Sequence, residues 1–97
     1  LCINKMIRNM AREIFLVQAE YVDKVHGTAI VSPCGWSFNY EDARRLCEKV
    51  VNEDKNEGQI PADYAGWNEF EYRDYFAYVD EMTEINIYVC SIDEIDS

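Results

Sequence analysis

The side chains of this chain that could do chemistry are one histidine, four cysteines and 19 carboxylates. His26 is the only histidine, so a Ser/His/Asp or Cys/His catalytic arrangement would have to be built on it. It stands beside Gly27 in a polar stretch that is typical of a hairpin turn, and the sequence places no nucleophile near it. We therefore expect His26 to be an exposed turn residue, and we expect the protein not to be an enzyme.

A zinc site made from His26, Cys34, Cys47 and Cys90 would have enough ligands in number. Tetrahedral sites usually draw their ligands from closely spaced pairs, whereas these four residues follow one another at intervals of eight, 13 and 43 residues. Cys47 and Cys90 lie on apolar positions of a predicted helix and a predicted strand, where small core residues are expected. Scattered cysteines without a CxxC pair are typical of a reducing cytosol. The sequence predicts no metal and no cofactor.

The carboxylates are distributed unevenly along the chain. Residues 1–62 carry nine acidic and eight basic side chains, whereas residues 63–97 carry ten acidic side chains and Arg73 as the only basic one. The net charge of −10 is therefore a property of the C-terminal third. A field of this sign repels nucleic acid and anionic membranes and speeds encounters with basic surfaces. We expect no direct nucleic-acid binding and no membrane binding, and no apolar run approaches the ~18 residues that span a bilayer.

Nucleotide-binding and hydrolase motifs are absent from the sequence, among them GxxxxGK[ST], GxGxxG, HExxH and GxSxG. The functional element is instead predicted to be an amphipathic helix over residues 68–84. Apolar side chains recur there at spacings of three and four, which indicates one buried stripe. The stripe comprises Tyr72, Tyr75, Phe76, Val79 and Met82.

The opposite side of this predicted helix is acidic. Residues four apart on a helix lie ~6 Å from each other, so its carboxylates would form a row at a spacing comparable to that of successive phosphates. We predict that this row binds a cationic groove, with exposed aromatic side chains as anchors. The predicted partner-binding residues are Glu69, Asp74, Asp80, Glu81, Glu84, Trp67, Phe70 and Tyr78. On a solvated face, the carboxylates are not expected to hold a catalytic metal.

The remaining segments are predicted to hold this helix in place. Residues 13–22 and 85–92 alternate between two faces, and β-branched residues 28–31 return after the His26 turn, so three strands are expected. Residues 32–36 contain Pro and Gly and are interpreted as a loop. A further helix follows, with Ser37 or Asn39 as its N-cap. Its buried stripe is predicted to comprise Ala43, Leu46, Cys47, Val50 and Val51.

These elements predict a single α+β domain over residues 1–97. Its three-stranded antiparallel sheet would carry two helices on one face, in the order β-β-α-α-β. Residues 1–12 are expected to form a frayed extension, and residues 93–97 an acidic tail. A strand edge left open in such a sheet could pair with a second copy, so a homodimer is also considered.

In size, charge and layout the whole chain resembles the small acidic proteins that bacteriophages produce against host defence, above all anti-CRISPR proteins. EIFLVQAEY at residues 13–21, EDARRLCEKV at 41–50 and INIYVCSIDEID at 85–96 resemble short phage proteins that combine a hairpin, a helix and a closing strand. The group shares no common motif, so no catalytic residue is carried over. The resemblance implies an inhibitor that binds a basic nucleic-acid groove of a CRISPR effector or another host defence nucleoprotein, in the cytoplasm of an infected bacterium.

Two other functions fit the sequence. A protein that sequesters a small ligand, such as a nucleotide signal, could line its pocket with Trp36, Trp67 and the tyrosines, although the net charge of −10 disfavours an anionic ligand. A non-enzymatic adaptor would use its acidity for solubility alone.

Overall fold

Five strands and one helix are formed in the computed structural model, which describes residues 12–94. In chain order they are β1 (Arg12–Asp23), β2 (Thr28–Ser37), α1 (Tyr40–Asn56), β3 (Trp67–Phe70), β4 (Arg73–Val79) and β5 (Thr83–Glu94). The strands form a single antiparallel sheet in the order β2-β1-β5-β4-β3. Of the expected extension, residues 1–12, all but Arg12 lie outside the described residues, and Arg12 begins β1. Of the expected tail, residues 93–97, the first two residues end β5, and the last three lie outside the described residues.

The core lies between α1 and one face of the sheet. Successive strand residues point to opposite faces, so Val17, paired with Val89, and Ala19, paired with Ile87, all turn towards the helix and are buried. From the helix side they meet the predicted stripe, in which Ala43, Cys47, Val50 and Val51 are buried and Leu46 is half-buried. Within residues 12–94 no second layer covers the other sheet face, where Leu16 and Tyr88 remain half-buried.

The start of α1 follows the predicted capping. Asn39 has an extended backbone, and its Oδ1 accepts hydrogen bonds from the amides of Glu41 at 2.7 Å and Asp42 at 3.3 Å. The two acidic side chains then occupy the first turn, where the helix dipole favours negative charge. The N-cap prediction at Asn39 is confirmed.

The prediction of three strands and two helices is wrong, and only the broad α+β class holds. Residues 68–84 form no helix: they contain most of β3, all of β4 and the beginning of β5. Of the supposed buried stripe, Phe76 alone is fully buried, while Tyr72 is almost completely exposed. The spacing of three and four arose because β4 carries aromatic side chains on both faces. Apolar residues on both faces of a strand can recur at intervals of three and four, as they do on one face of a helix.

The predicted loop at residues 32–36 is also wrong. β2 continues to Ser37 by means of a bulge, since Val17 pairs with Gly35 but Gln18 pairs with Pro33, so that Cys34 is the extra residue. Proline is tolerated in this position because β2 is an edge strand.

Candidate functional site

The hairpin that joins β3 to β4 has an unusual turn. Phe70 pairs with Arg73, so the loop consists of two residues only, Glu71 with φ 51° and Tyr72 with φ 65°. Two consecutive positive φ values are the mark of a type I′ turn, which normally contains Asn-Gly. For residues with a Cβ atom this conformation costs about 1–2 kcal/mol each. The turn therefore stores backbone strain at the edge of the sheet, and strain of this kind concentrates at functional sites.

Residues 69–72, here called the hairpin tip, alternate carboxylates with aromatic side chains, and Arg73 follows them as the first residue of β4. Tyr72 is 95% exposed and Phe70 is 66% exposed. Glu69 and Glu71 stand beside them, both exposed, and among the described side chains no cation lies within ion-pair distance of either carboxylate. The tip thus offers large apolar surfaces inside a negative field.

The base of the hairpin is fixed by Arg44 of α1. Its Nε lies 2.8 Å from Oδ2 of Asp74, and its guanidinium carbon lies 3.7 Å from the ring centroid of Trp67. Trp67 in turn packs edge-on against Phe76, with ring centroids 5.4 Å apart. The amide of Asp74 donates a hydrogen bond to the Tyr40 hydroxyl at 2.8 Å. A rigid base therefore carries the strained tip.

These contacts separate the predicted partner-binding residues. Glu69 and Phe70 lie in the hairpin tip, whereas Trp67 and Asp74 belong to its base and are occupied by Arg44. Tyr78 is half-buried, and its ring lies edge-on to Tyr64 at 4.9 Å.

The other predicted carboxylates lie at the turn between β4 and β5. Asp80 accepts hydrogen bonds from the Met82 and Thr83 amides at 2.8 and 2.7 Å and from the Tyr78 hydroxyl at 2.7 Å. The Tyr78 bond and then these amides hold the pKa of Asp80 below its usual value, and the same bond raises the pKa of Tyr78. Glu81 is exposed in this turn, and Glu84 is half-buried on β5.

The predicted row of carboxylates on one helix face is therefore wrong. Asp74 is paired with Arg44, Asp80 shapes a turn, and Glu84 lies opposite Val22 and Val79 on the sheet. The missed members of the site are Glu71 and Tyr72. A Glu-Tyr pair gives no turn signal, and only the β-forming residues on both sides of it could have suggested a hairpin.

A groove of about 660 Å³ lies on the sheet face opposite α1, next to the hairpin tip. Phe70 and Glu71 from the tip, Tyr75 from β4 and Tyr88 from β5 are among its lining residues. On its floor the Asn86 side-chain amide donates to Glu20 at 2.9 Å. Burial raises the pKa of Tyr88, so its hydroxyl stays protonated. Trp36 and Trp67, predicted to line a ligand pocket, take no part in this groove.

The residues considered for catalysis and zinc binding are dispersed. His26 lies in the exposed β1–β2 turn, as expected, with Nδ1 at 2.7 Å from Oδ2 of Asp23. Cys47 is buried in the core, which raises its pKa to about 12, and burial also raises the pKa of Cys34 and of Cys90. Within residues 12–94 no three His, Cys, Asp or Glu side chains are grouped so that they could hold a metal ion.

Comparison of the chain with protein-family models, with curated proteins and with solved structures gives no match. Over the described part of the chain no helix is long and apolar enough to cross a membrane. The geometry of the hairpin tip and of the groove is therefore the basis on which a function can be argued.

Proposed function

We propose that this protein is a non-catalytic inhibitor that inserts its hairpin tip into a basic, nucleic-acid-binding groove of a bacterial defence complex. The observation that carries the proposal is the exposure of Phe70 and Tyr72 beside Glu69 and Glu71, neither of which has a cation within ion-pair distance among residues 12–94. The resemblance to anti-CRISPR proteins supports the class of partner, and the bacterial cytoplasm is the compartment in which such a partner would be met.

The two kinds of side chain in the tip would act differently. Exposed aromatic residues are frequent hot spots, because they bury a large rigid area at a small cost in conformational entropy. Carboxylates at their side would steer the tip towards Lys and Arg residues and speed association. A groove that evolved to hold phosphates presents both kinds of complement, since it combines cations with surfaces on which bases stack.

The strained turn supports the same interpretation. Asn-Gly would form this turn with less strain, whereas Glu71 and Tyr72 add a carboxylate and an aromatic ring at the point of greatest exposure. A binding role would account for residues that lower the stability of the fold.

The proposal is tested by binding to a panel of purified CRISPR effector complexes. Glu69→Lys/Glu71→Lys should weaken the interaction at least roughly tenfold, and wild-type binding should weaken as salt is raised. The matched control is Glu53→Lys/Asp63→Lys, which changes the charge equally at two exposed positions outside the hairpin. An equal loss in both variants would point to net charge alone, and unchanged binding by the hairpin variant would exclude this surface.

The groove favours a second candidate function, the sequestration of a small ligand. Its volume of about 660 Å³ lies within the range of small-molecule sites, and Tyr75 and Tyr88 offer rings for stacking. Its lining contains three carboxylates, Glu20, Glu71 and Asp74, and one cation, Arg73. This excess of negative charge disfavours an anionic ligand and favours a neutral or cationic planar one. Native mass spectrometry of the purified protein tests this candidate: a co-purifying ligand that is lost from Tyr88→Ala would support it, and a ligand-free wild-type protein would count against it.

A further inference from the structure

The sheet edge formed by β2 differs from other parts of the surface by its lack of charge. Residues 28–38 contain no Asp, Glu, Lys or Arg, although most of them are exposed. Ile30 is 66% exposed, and Val31 is exposed as well. β2 pairs with β1 on one side only, so on its other side alternate residues direct backbone N–H and C=O groups outwards. In the described structure no segment covers this edge.

Natural sheets usually protect such edges with charges, prolines or bulges. Here Pro33 and the bulge at Cys34 protect the second half of β2. The first half, residues 28–32, pairs regularly with β1 and has neither device. These five residues, here called the β2 edge, combine regular backbone geometry with uncharged and mostly β-branched or small side chains.

The carboxylates of the hairpin tip do not prevent two copies from approaching along this edge. β2 and β3 are the two outermost strands of the sheet. With strands ~4.8 Å apart, four spacings place the hairpin tip ~19 Å from the β2 edge. This distance exceeds the Debye length of ~8 Å at physiological ionic strength. The carboxylates of the tip are therefore largely screened at the β2 edge. The nearer carboxylates are Glu20, opposite Val31, and Asp23, opposite Thr28, so some repulsion between the two copies remains at low salt.

We propose that two copies of this chain pair antiparallel through the β2 edge and form one continuous ten-stranded sheet. A two-fold axis at Ile30 makes the pairing self-complementary, since Thr28 of each copy faces Ser32 of the other and Ala29 faces Val31. Cross-strand pairs of β-branched residues are favourable in antiparallel sheets. The exposed Ile30 side chains would cover each other on the face that carries α1.

This dimer has a consequence for binding that rests on the proposed function. The two hairpin tips would lie at opposite edges of the joined sheet, nine strand spacings or ~43 Å apart across the strands and further separated along them. Each dimer would thus be bivalent, and a partner with two basic grooves at this distance would be bound more tightly than by one tip. Dimerisation itself does not depend on that function.

Analytical ultracentrifugation of the wild-type chain and two matched variants tests the proposal. Ile30 and Phe70 are equally exposed at 66%, lie on opposite edges and gain the same charge in Ile30→Lys and Phe70→Lys. The wild type should reach twice the mass of the 11.4 kDa chain as concentration rises. Ile30→Lys should raise the dissociation constant at least roughly tenfold, because two lysines would face each other. Phe70→Lys should leave that constant unchanged.

Two further measurements keep the test decisive. Raised salt should strengthen the dimer, because it screens repulsion between two acidic copies, whereas binding through the hairpin tip should weaken. Hydrogen exchange on the wild type needs no variant, and it should show slower exchange of amides in residues 28–32 at high concentration than at low concentration. A monomeric wild type, equal dissociation of both variants, or exchange independent of concentration would overturn the proposal.

Discussion

The two edge strands of this sheet, β2 and β3, differ in length and in charge. β2 is a ten-residue strand without a single charged side chain, whereas β3 has four residues and carries Glu69. A long uncharged edge favours pairing with another strand, and a short charged edge disfavours it. Both edge strands leave outward backbone groups unpaired, over ten residues on β2 but over four on β3, where a tight turn with exposed side chains follows. One sheet can therefore present a surface for side-chain recognition at one edge and a longer surface for strand addition at the other.

Among substitutions that would disturb one of the two edges, the largest loss of stability is expected at Gly66, the residue just before β3. A Cβ atom there would lie 2.5 Å from the Ala77 carbonyl oxygen and 2.6 Å from Cε2 of Tyr64. Because backbone cannot yield easily, Gly66→Ala should lower the free energy of unfolding by about 3 kcal/mol. Denaturant unfolding measures this. Gly27→Ala is the control: Gly27 has φ +68° but open space around it, so only about 1 kcal/mol of backbone strain is expected. Equal losses would refute the steric argument.

A smaller effect is expected from Arg44, which ties α1 to the hairpin base. Arg44→Met removes the ion pair with Asp74 and the stacking on Trp67, and it leaves a partly buried carboxylate without its cation. We expect a loss of about 2 kcal/mol in the free energy of unfolding. Arg45→Met is the matched control, because Arg45 makes only an exposed pair with Asp42 and should cost less than about 0.5 kcal/mol. Similar losses from the two variants would contradict the role of Arg44.

A substitution in the strained turn at Glu71 and Tyr72 should raise the stability of the fold, whereas the two preceding substitutions lower it. Glu71→Asn/Tyr72→Gly supplies the residues that a type I′ turn prefers, so the free energy of unfolding should rise by about 1 kcal/mol. The same variant should bind the partner of the hairpin tip less tightly, since it loses a carboxylate and an aromatic anchor. Thermal unfolding and the effector-binding assay measure the two effects. A variant that is less stable than the wild type would show that the turn is not strained as described.

The smallest effect is expected on the pH dependence of stability, and it comes from a buried carboxylate close to β2. Asp54 of α1 is 6% exposed and accepts a hydrogen bond from the Tyr21 hydroxyl at 2.7 Å, beneath the strand pair of Tyr21 with Ile30. Burial, the larger influence, raises the folded pKa of Asp54 above 3.8, although the Tyr21 bond opposes it. The unfolded chain therefore loses this proton first, and stability falls as pH rises from about 4 through the folded pKa.

Asp54→Asn should flatten this part of the pH profile, because the amide does not titrate. Tyr21→Phe should steepen it, because the hydrogen bond that favours the carboxylate is lost. Urea unfolding at a series of pH values measures both slopes. If neither variant differs from the wild type in slope, ionisation of Asp54 does not contribute to the folding equilibrium.

The elements with one clear periodicity could be predicted from the sequence. β1 alternates from Val17 to Tyr21, α1 has both an Asn39 cap and a single apolar stripe, and β5 alternates again, so these three are found close to their expected places. β4 was not predictable in the same way, because Phe76 and Tyr78 face the helix while Tyr75 and Ala77 face the other side. With large side chains on both faces, a strand loses the period of two by which it is recognised.

The candidate site could be predicted only in part, for a related reason. Charge indicates Glu69, and a position off the apolar stripe indicates Phe70. The spacing places Tyr72 in that stripe, whereas its exposure follows from a backbone conformation that its residue type disfavours. The turn preferences of single residue types do not predict this turn. Its conformation is imposed by the pairing of β3 with β4 and by the contacts of Arg44 with Asp74 and Trp67.

The central position of the β1–β5 pair also determines how the chain must fold. Its register joins Arg12 with Glu94 and Asp23 with Thr83, so every contact of this ladder closes a loop of some sixty residues or more. A topology dominated by such non-local pairing is expected to fold in milliseconds to seconds, slowly for a small domain. Before β5 pairs with β1, the backbone N–H and C=O groups of β1 that face β5 are unpaired, and so are those on the outer side of β2. A nascent β1–β2 hairpin therefore has two unpaired flanks, and rapid dilution or a holding chaperone should improve the yield of refolding.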